Sequence, residues 1–271
     1  MMYAFSYHAP ISLSEARKRF EESEDAAYIS GGHTLLPTMK NRLAAPSDLV
    51  SLGQIEELQG IAVAEGCLTI GAAETHASVA ASDAVTGRIP ALAGLAGSIG
   101  DVQVRHRGTI GGSVANNDPA ADYPSAVLAL DARLHTSERV IEASDFFQGV
   151  YTTALEPGEI LTKVGFRIPD TAGYAKMRNP ASRYALAAAF VARFGDSVRV
   201  AITGASEDGV FRWTEAEERL SKEVSAGALA GLTLNEADMN EDIHASRGYR
   251  AHLAALCTRK AAELQGRLTL L

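Results

Sequence analysis

Two short stretches, each a Gly-Gly pair set behind an apolar or β-branched run, constrain this chain more than any other feature. In Ser30-Gly31-Gly32-His33-Thr34-Leu35-Leu36-Pro37 the pair follows Ala26-Ala27-Tyr28-Ile29. In Thr109-Ile110-Gly111-Gly112-Ser113 it opens a stretch running through Asn116-Asn117-Asp118-Pro119-Ala120-Ala121-Asp122-Tyr123-Pro124, rich in small, amide, acidic and proline residues. Adjacent glycines reach backbone conformations closed to other residues and leave N–H groups uncovered, so a ligand's oxygens can come close. One Gly-Gly after a strand is an ordinary tight turn. Two of them, each followed by a hydroxyl residue and a helix-like apolar segment, form a constellation whose natural guest is a phosphate or pyrophosphate.

Composition narrows the alternatives. A chain of 271 residues, 46% of them hydrophobic, suits a globular fold of one large or roughly two to three small domains. A net charge of −8 with scattered lysines and arginines argues against a nucleic-acid partner. No apolar run approaches bilayer length, and Met1-Met2-Tyr3-Ala4-Phe5-Ser6-Tyr7 lacks a basic leader, so no membrane span and a cytoplasmic location are expected. The cysteines, Cys67 and Cys257, stand far apart and read as free thiols of a reducing compartment. A cluster held by four thiolates therefore cannot be built from this chain alone.

Taken in order, Tyr3–Tyr7 reads as a strand. Ser12-Leu13-Ser14-Glu15 is a capping box opening a helix with Leu13, Ala16 and Phe20 on one face. Residues 26–29 are a strand, 35–40 a short helix and 48–52 another strand. A hairpin turns at Glu65-Gly66, Thr75 caps a helix through Ala81, and a second helix spans 89–96. Gly100–Gly108 leads into the second glycine loop, and a helix runs from Tyr123 to Leu130. Strands follow at 133–136 and 162–168, the latter after the aromatic stretch 146–153 and a turn at Glu156-Pro157-Gly158-Glu159. Pro169-Asp170-Thr171-Ala172-Gly173 is the expected linker. Beyond it come a hairpin turned at Gly195-Asp196, a helix from Thr214 to Leu220 capped by Thr214, and a helix from Ser246 to Leu264 with Tyr249, Leu253, Leu256 and Cys257 on one face.

The dinucleotide fingerprint is missing, because Gly94, Gly97 and Gly100 have the wrong spacing. The P-loop, the zinc-protease motif and the nucleophile elbow are missing too. What remains is a two-loop phosphate cradle without a visible catalytic acid, base or nucleophile, suited to a cofactor that carries its own chemistry.

The two glycine loops, with Asp118-Pro119-Ala120-Ala121-Asp122, resemble those of the medium, FAD-binding subunit of the molybdenum hydroxylases. The likeness is to the carbon monoxide dehydrogenase group within the xanthine dehydrogenase family. It extends through Gly100–Arg105, Thr153–Leu161 and His244–Arg250. The resemblance implies an α+β fold of the PCMH type: FAD-binding subdomains at 1–54 and 55–170 and a C-terminal α+β domain at 173–271. It also implies an oxidoreductase of three kinds of subunit. A large partner would carry molybdopterin, and a small partner would pass electrons through [2Fe-2S] clusters. This chain's non-covalently bound FAD would deliver them to an external acceptor.

Carried over by position, Gly31, Gly32, His33, Thr34 and Leu35, with Thr109, Ile110, Gly111, Gly112 and Ser113, line the pyrophosphate and ribityl chain. Their N–H groups and the hydroxyls of Thr34, Thr109 and Ser113 act as donors. Asp122 bonds FAD and also reads as an N-cap for the next helix. Asp118 is a further candidate, although Asn117-Asp118-Pro119 is also an ordinary turn. Leu161 touches the flavin or is simply a buried strand residue, and Lys176 places a cation near the flavin ring. Ser30 stands where the family usually has alanine, and Thr34 where it commonly has serine. Competing readings are a self-contained flavin oxidoreductase of the same fold and an FAD-binding assembly factor that transfers no electrons.

Overall fold

The computed structural model describes residues 2–263 and 268–270. Met1, Leu271 and the expected helix end at Leu264 lie outside the described residues. Strand pairing sorts the described residues into three main sheets that follow one another in sequence, plus a two-stranded ribbon.

The first sheet orders its strands Ser6–His8, Asp48–Ser51, Ala26–Ile29, and both pairings are parallel. Parallel neighbours need crossovers, supplied here by the helices Leu13–Glu22 and Leu35–Lys40. The first is capped as expected, Ser12 Oγ accepting from Glu15 N–H at 3.3 Å, while the Glu15 carboxylate reaches one residue past the cap and accepts from Ile11 N–H at 3.3 Å. The first glycine pair leaves the carboxyl end of Ala26–Ile29, where parallel sheets place their ligands.

In the second sheet the strand Leu161–Arg167 runs antiparallel between Cys67–Gly71 and Arg133–Thr136. The hairpin Ile61–Ala64/Cys67–Gly71 turns through Glu65 (φ 50°) and Gly66 (φ 75°), as expected. Leu68, Ile70, Leu134, Val164 and Phe166 are all buried and share a core with the helices Pro90–Ser98 and Tyr123–Ala129. Three departures from expectation lie here. Asp83–Arg88 and Val102–Arg107 are helices, the second capped by Asp101, whose Oδ1 accepts from Val104 N–H at 2.8 Å. The stretch after Thr109 is a helix, Ile110–Asn116, and not a loop.

The third sheet orders Gly209–Arg212, Ser197–Ser206, Ala185–Phe194, Thr171–Arg178 and Leu268–Leu270. The expected linker shrinks, because Thr171, Ala172 and Gly173 already pair with Arg193, Ala192 and Val191. Alternation along Ala185–Phe194 splits the burial. Ala187, Ala189 and Val191 pack under the helices Thr214–Lys222 and Arg247–Glu263, while Ala188, Phe190 and Ala192 join the core of the second unit. Thr214 does not cap its helix, since Trp213 holds that position and makes no side-chain cap bond. Tyr249 is 47% exposed and leaves the buried face to Leu253 and Cys257. Arg250 is buried instead, donating to the carbonyls of Leu186 and Gly204 and to Asp242. Cys67 and Cys257 are free thiols. Among the described residues no helix is long and apolar enough to cross a membrane.

Candidate cofactor site

A cavity of about 600 Å³ opens between the first two units, within the roughly 300–1,000 Å³ typical of cofactor sites. Residues 27–35 form one wall. Parts of 72–122 and 155–161 form the other, and Ser182, Arg183 and Tyr184 from the third unit stand at its edge. The two glycine stretches face each other across it, tied by Ser30 Oγ and Thr109 Oγ1 at 2.9 Å.

The first jaw is a true loop. Gly32 sits at φ 73°, a conformation that L side chains rarely adopt. Gly31 lies so close to the opposite jaw that a Cβ would collide with the Arg107 carbonyl and stand 2.7 Å from Gly108 Cα. Among the described residues nothing accepts a hydrogen bond from the backbone N–H of Gly31, Gly32, His33, Thr34 or Leu35. The Thr34 hydroxyl caps nothing in the helix that follows. The loop lining this wall of the cavity therefore carries a row of unspent donors.

The second jaw works differently. Thr109 is a helix N-cap, its Oγ1 accepting from Gly112 N–H at 3.1 Å. Ile110 N–H donates to the Glu74 carbonyl, Gly111 N–H to Ala72 and Ser113 N–H to Thr109. The expectation that these amides are free for a ligand is corrected: the cap and the Ala72–Glu74 backbone already use them. Gly111 is needed for packing, since a Cβ would sit 2.6 Å from the Ala72 carbonyl. At Gly112 the nearest obstacles are Thr109 Oγ1 at 3.0 Å and Ser30 Cβ at 3.7 Å, and the residue is exposed to the cavity. This jaw offers closeness and the Ser113 side chain.

Behind it, Asp122 is 4% exposed and reaches the cavity wall. It does not cap the Tyr123 helix. Its oxygens accept from Tyr174 Oη and from Lys176 Nζ, the latter at 2.8 and 3.0 Å. Tyr174 and Lys176 are both 0% exposed and alternate on Thr171–Arg178, so a buried ion pair ties the third unit to the cavity wall. Burial and the Asp122 charge push the Tyr174 phenol well above its usual range.

Of the residues singled out in sequence, Gly31, Gly32, His33, Thr34, Leu35, Thr109, Gly111, Gly112, Ser113, Asp118, Asp122 and Leu161 line the cavity. Ile110 and Lys176 do not. Ile110 is core, and Lys176 acts on the wall through Asp122. Asp118 accepts from Ala120 N–H at 2.8 Å and from Tyr151 Oη at 3.1 Å. Asn117, left-handed at φ 44°, is structural: its amide donates to the carbonyls of Gly149 and Thr152.

Sequence reading missed several lining residues, among them Tyr28, His76, Glu159, Arg183 and Tyr184. Tyr28 Oη donates to the Gly158 carbonyl at 3.1 Å, and burial pushes its pKa up to about 12. Glu159 is buried, which opposes its charge. Hydrogen bonds from Arg139, Glu156 N–H and Thr136 outweigh that and hold its carboxyl below the usual range. Arg183 arrives on a turn built by Asn179 and donates to the Gly100 carbonyl at 3.3 Å. No local signal marked Arg183 and Tyr184, which reach the cavity only through the third unit's placement. Among the described residues no cluster of His, Cys, Asp or Glu is arranged to hold a metal ion.

The geometry suits an elongated anionic nucleotide: unspent amides on one jaw, close glycine backbone on both, and a mixed polar and apolar wall. Residues 3–171 match the family described as the FAD binding domain in molybdopterin dehydrogenase. The chain is 39% identical over 196 residues to the carbon monoxide dehydrogenase medium chain of Afipia carboxidovorans, covering 69% of this chain and 68% of that one. It is 34% identical over 261 residues to the nicotine 6-hydroxylase medium subunit of Paenarthrobacter nicotinovorans, covering 91% and 92%. Reconstituted CO dehydrogenase from Oligotropha carboxidovorans contains a chain that superposes with a TM-score of 0.89 at 32% identity, covering 98% of this chain and 99% of that chain.

Proposed function

The chain belongs to the family of FAD-binding domains in molybdopterin dehydrogenases, and on that premise we propose that it is the FAD-carrying medium subunit of a multi-subunit molybdenum hydroxylase. Large molybdopterin-binding and small [2Fe-2S] subunits are its partners, and an external acceptor takes the electrons. The observation that carries this reading is the row of unspent N–H groups from Gly31 to Leu35 in a loop that lines the same cavity as Gly111 and Gly112.

FAD bound there supplies the electron-transfer chemistry. The protein's own residues bind and orient it. Gly31–Leu35 amides and the Thr34 and Ser113 hydroxyls donate to the pyrophosphate, and Gly112 leaves room for it. Asp122, held by Lys176 and Tyr174, presents a fixed acceptor, while Leu161 gives the wall an apolar patch. Ile110 contributes by anchoring the helix behind the glycines. Residues 1–54 and 55–170 form the clamp, and 173–271 stiffens one wall. The free cysteines, Cys67 and Cys257, fit a subunit whose clusters reside in a partner.

The test is a flavin absorption and fluorescence titration of the full chain, together with the composition of whatever copurifies. Stoichiometric FAD uptake and cysteine-rich partner chains are expected. A chain that takes up no added FAD contradicts the reading. Uptake without partners, but with turnover of a substrate, shifts it to a self-contained flavin enzyme. Gly112→Val should abolish FAD uptake while leaving a cooperative thermal transition.

A further inference from the structure

His76 lies in the cavity wall at the start of the helix His76–Ala81, 5% exposed, with its backbone N–H on the Gly108 carbonyl at 2.9 Å. Its ring rests on the second jaw so closely that a Cβ on Gly108 would stand 2.6 Å from Nε2. The other ring nitrogen, Nδ1, is sealed from solvent and has no hydrogen-bond partner. Tyr123, whose ring centroid is 5.4 Å away, has an equally orphaned Oη. Buried polar atoms are rarely left unpaired, so a buried ring whose Nδ1 finds no partner has only Nε2 left to make a hydrogen bond.

The protonation pattern follows. Burial first, then the nearby His33 and Arg105 charges, push the His76 pKa down to about 4, so the ring is neutral at ordinary pH. With no acceptor at Nδ1, a proton there would be an orphaned donor, which is rarer than an idle lone pair. The proton therefore sits on Nε2, the ring's one polar atom that is not sealed away. It stands against Gly108, next to Thr109 and the glycine pair, where the two jaws converge.

We propose that His76 is a further cofactor-binding residue, donating Nε2–H to a phosphate oxygen of the nucleotide held between the jaws. This rests on the FAD reading above. A neutral donor at this point fixes the pyrophosphate without adding a buried charge, complementing the amides of the opposite jaw.

The test uses the full chain with His76→Leu and His76→Gln, titrated with FAD and, separately, with riboflavin, which has no phosphate. The wild type binds FAD, the Leu variant binds it about tenfold or more weakly, the Gln variant stays near wild type, and riboflavin affinity is unchanged throughout. Leu-variant binding equal to wild type overturns the proposal alone, as does an equal loss for both ligands. A wild-type chain that takes up no FAD overturns the cofactor reading and the proposal with it. If the Leu variant shows no cooperative melt, ¹⁵N spectra of the wild type decide. A protonated Nε2 that shifts on FAD addition supports the proposal; an Nδ1-protonated ring or an unmoved Nε2 contradicts it.

Discussion

The two glycine jaws look alike in sequence and do opposite work in the structure. Ser30–Leu35 is a loop with a left-handed glycine and amides that no described residue accepts from. Thr109–Ser113 is the capped first turn of a helix whose amides are all spent between Ile110 and Ser113. One jaw supplies donors, and the other supplies a wall that can be approached. Their support differs as well. The second jaw is backed by the buried Asp122–Lys176–Tyr174 group and by His76. The first is held by Ser30 Oγ, by Tyr28 Oη on Gly158 and by the close seat of Gly31 on Arg107.

The largest expected effect lies behind the second jaw. Lys176→Met leaves the Asp122 carboxylate buried without its cation and should cost about 3–5 kcal/mol in urea unfolding. Next comes a pH effect. The folded His76 has a pKa of about 4 against 6.5 when free, so between those values the unfolded chain binds the extra proton. Its contribution is complete above pH 6.5 and drains as pH falls toward 4, by about 3 kcal/mol in all. Urea midpoints across this window should fall more steeply for wild type than for His76→Gln. Equal slopes would remove His76 from the second jaw's support.

Adjacent glycines sharpen the contrast further. Gly111→Ala drives a methyl into the Ala72 backbone and should cost about 1–3 kcal/mol. Gly112→Ala should change stability by less than about 1 kcal/mol yet weaken FAD binding, because its methyl enters the cavity. Thr109→Ala removes a cap and the inter-jaw contact for about 1 kcal/mol, read from the thermal midpoint.

Much of this was legible because it is local. Ser12 and Thr75 announce their helices, Glu65-Gly66 its hairpin, and the glycine pairs announce a cavity between them. The pairs' separate reasons were not legible. Sequence shows that Gly111 and Gly112 are small, but only packing shows that one is pressed on the Ala72 backbone and the other meets only the side chains of Thr109 and Ser30 at the cavity. Val102–Arg107 hid because six largely polar residues carry no apolar stripe, leaving Asp101 as the sole cue. No neighbouring residue marks a partner for Lys176. Period-two alternation puts it on the face of Tyr174, yet its partner stands 54 residues away, a pairing created only where the start of the Tyr123–Ala129 helix meets the third sheet.

The central claim is that the first jaw's amides, and not the second's, receive the cofactor. Residue-resolved amide hydrogen exchange of the full chain, with and without FAD, tests it directly. Exchange at Gly31–Leu35 should be fast without FAD and slow sharply when it binds, while Ile110–Ser113 is protected in both states. Bound flavin with unchanged exchange at Gly31–Leu35, or free exchange at Ile110–Ser113 before FAD is added, would contradict the account.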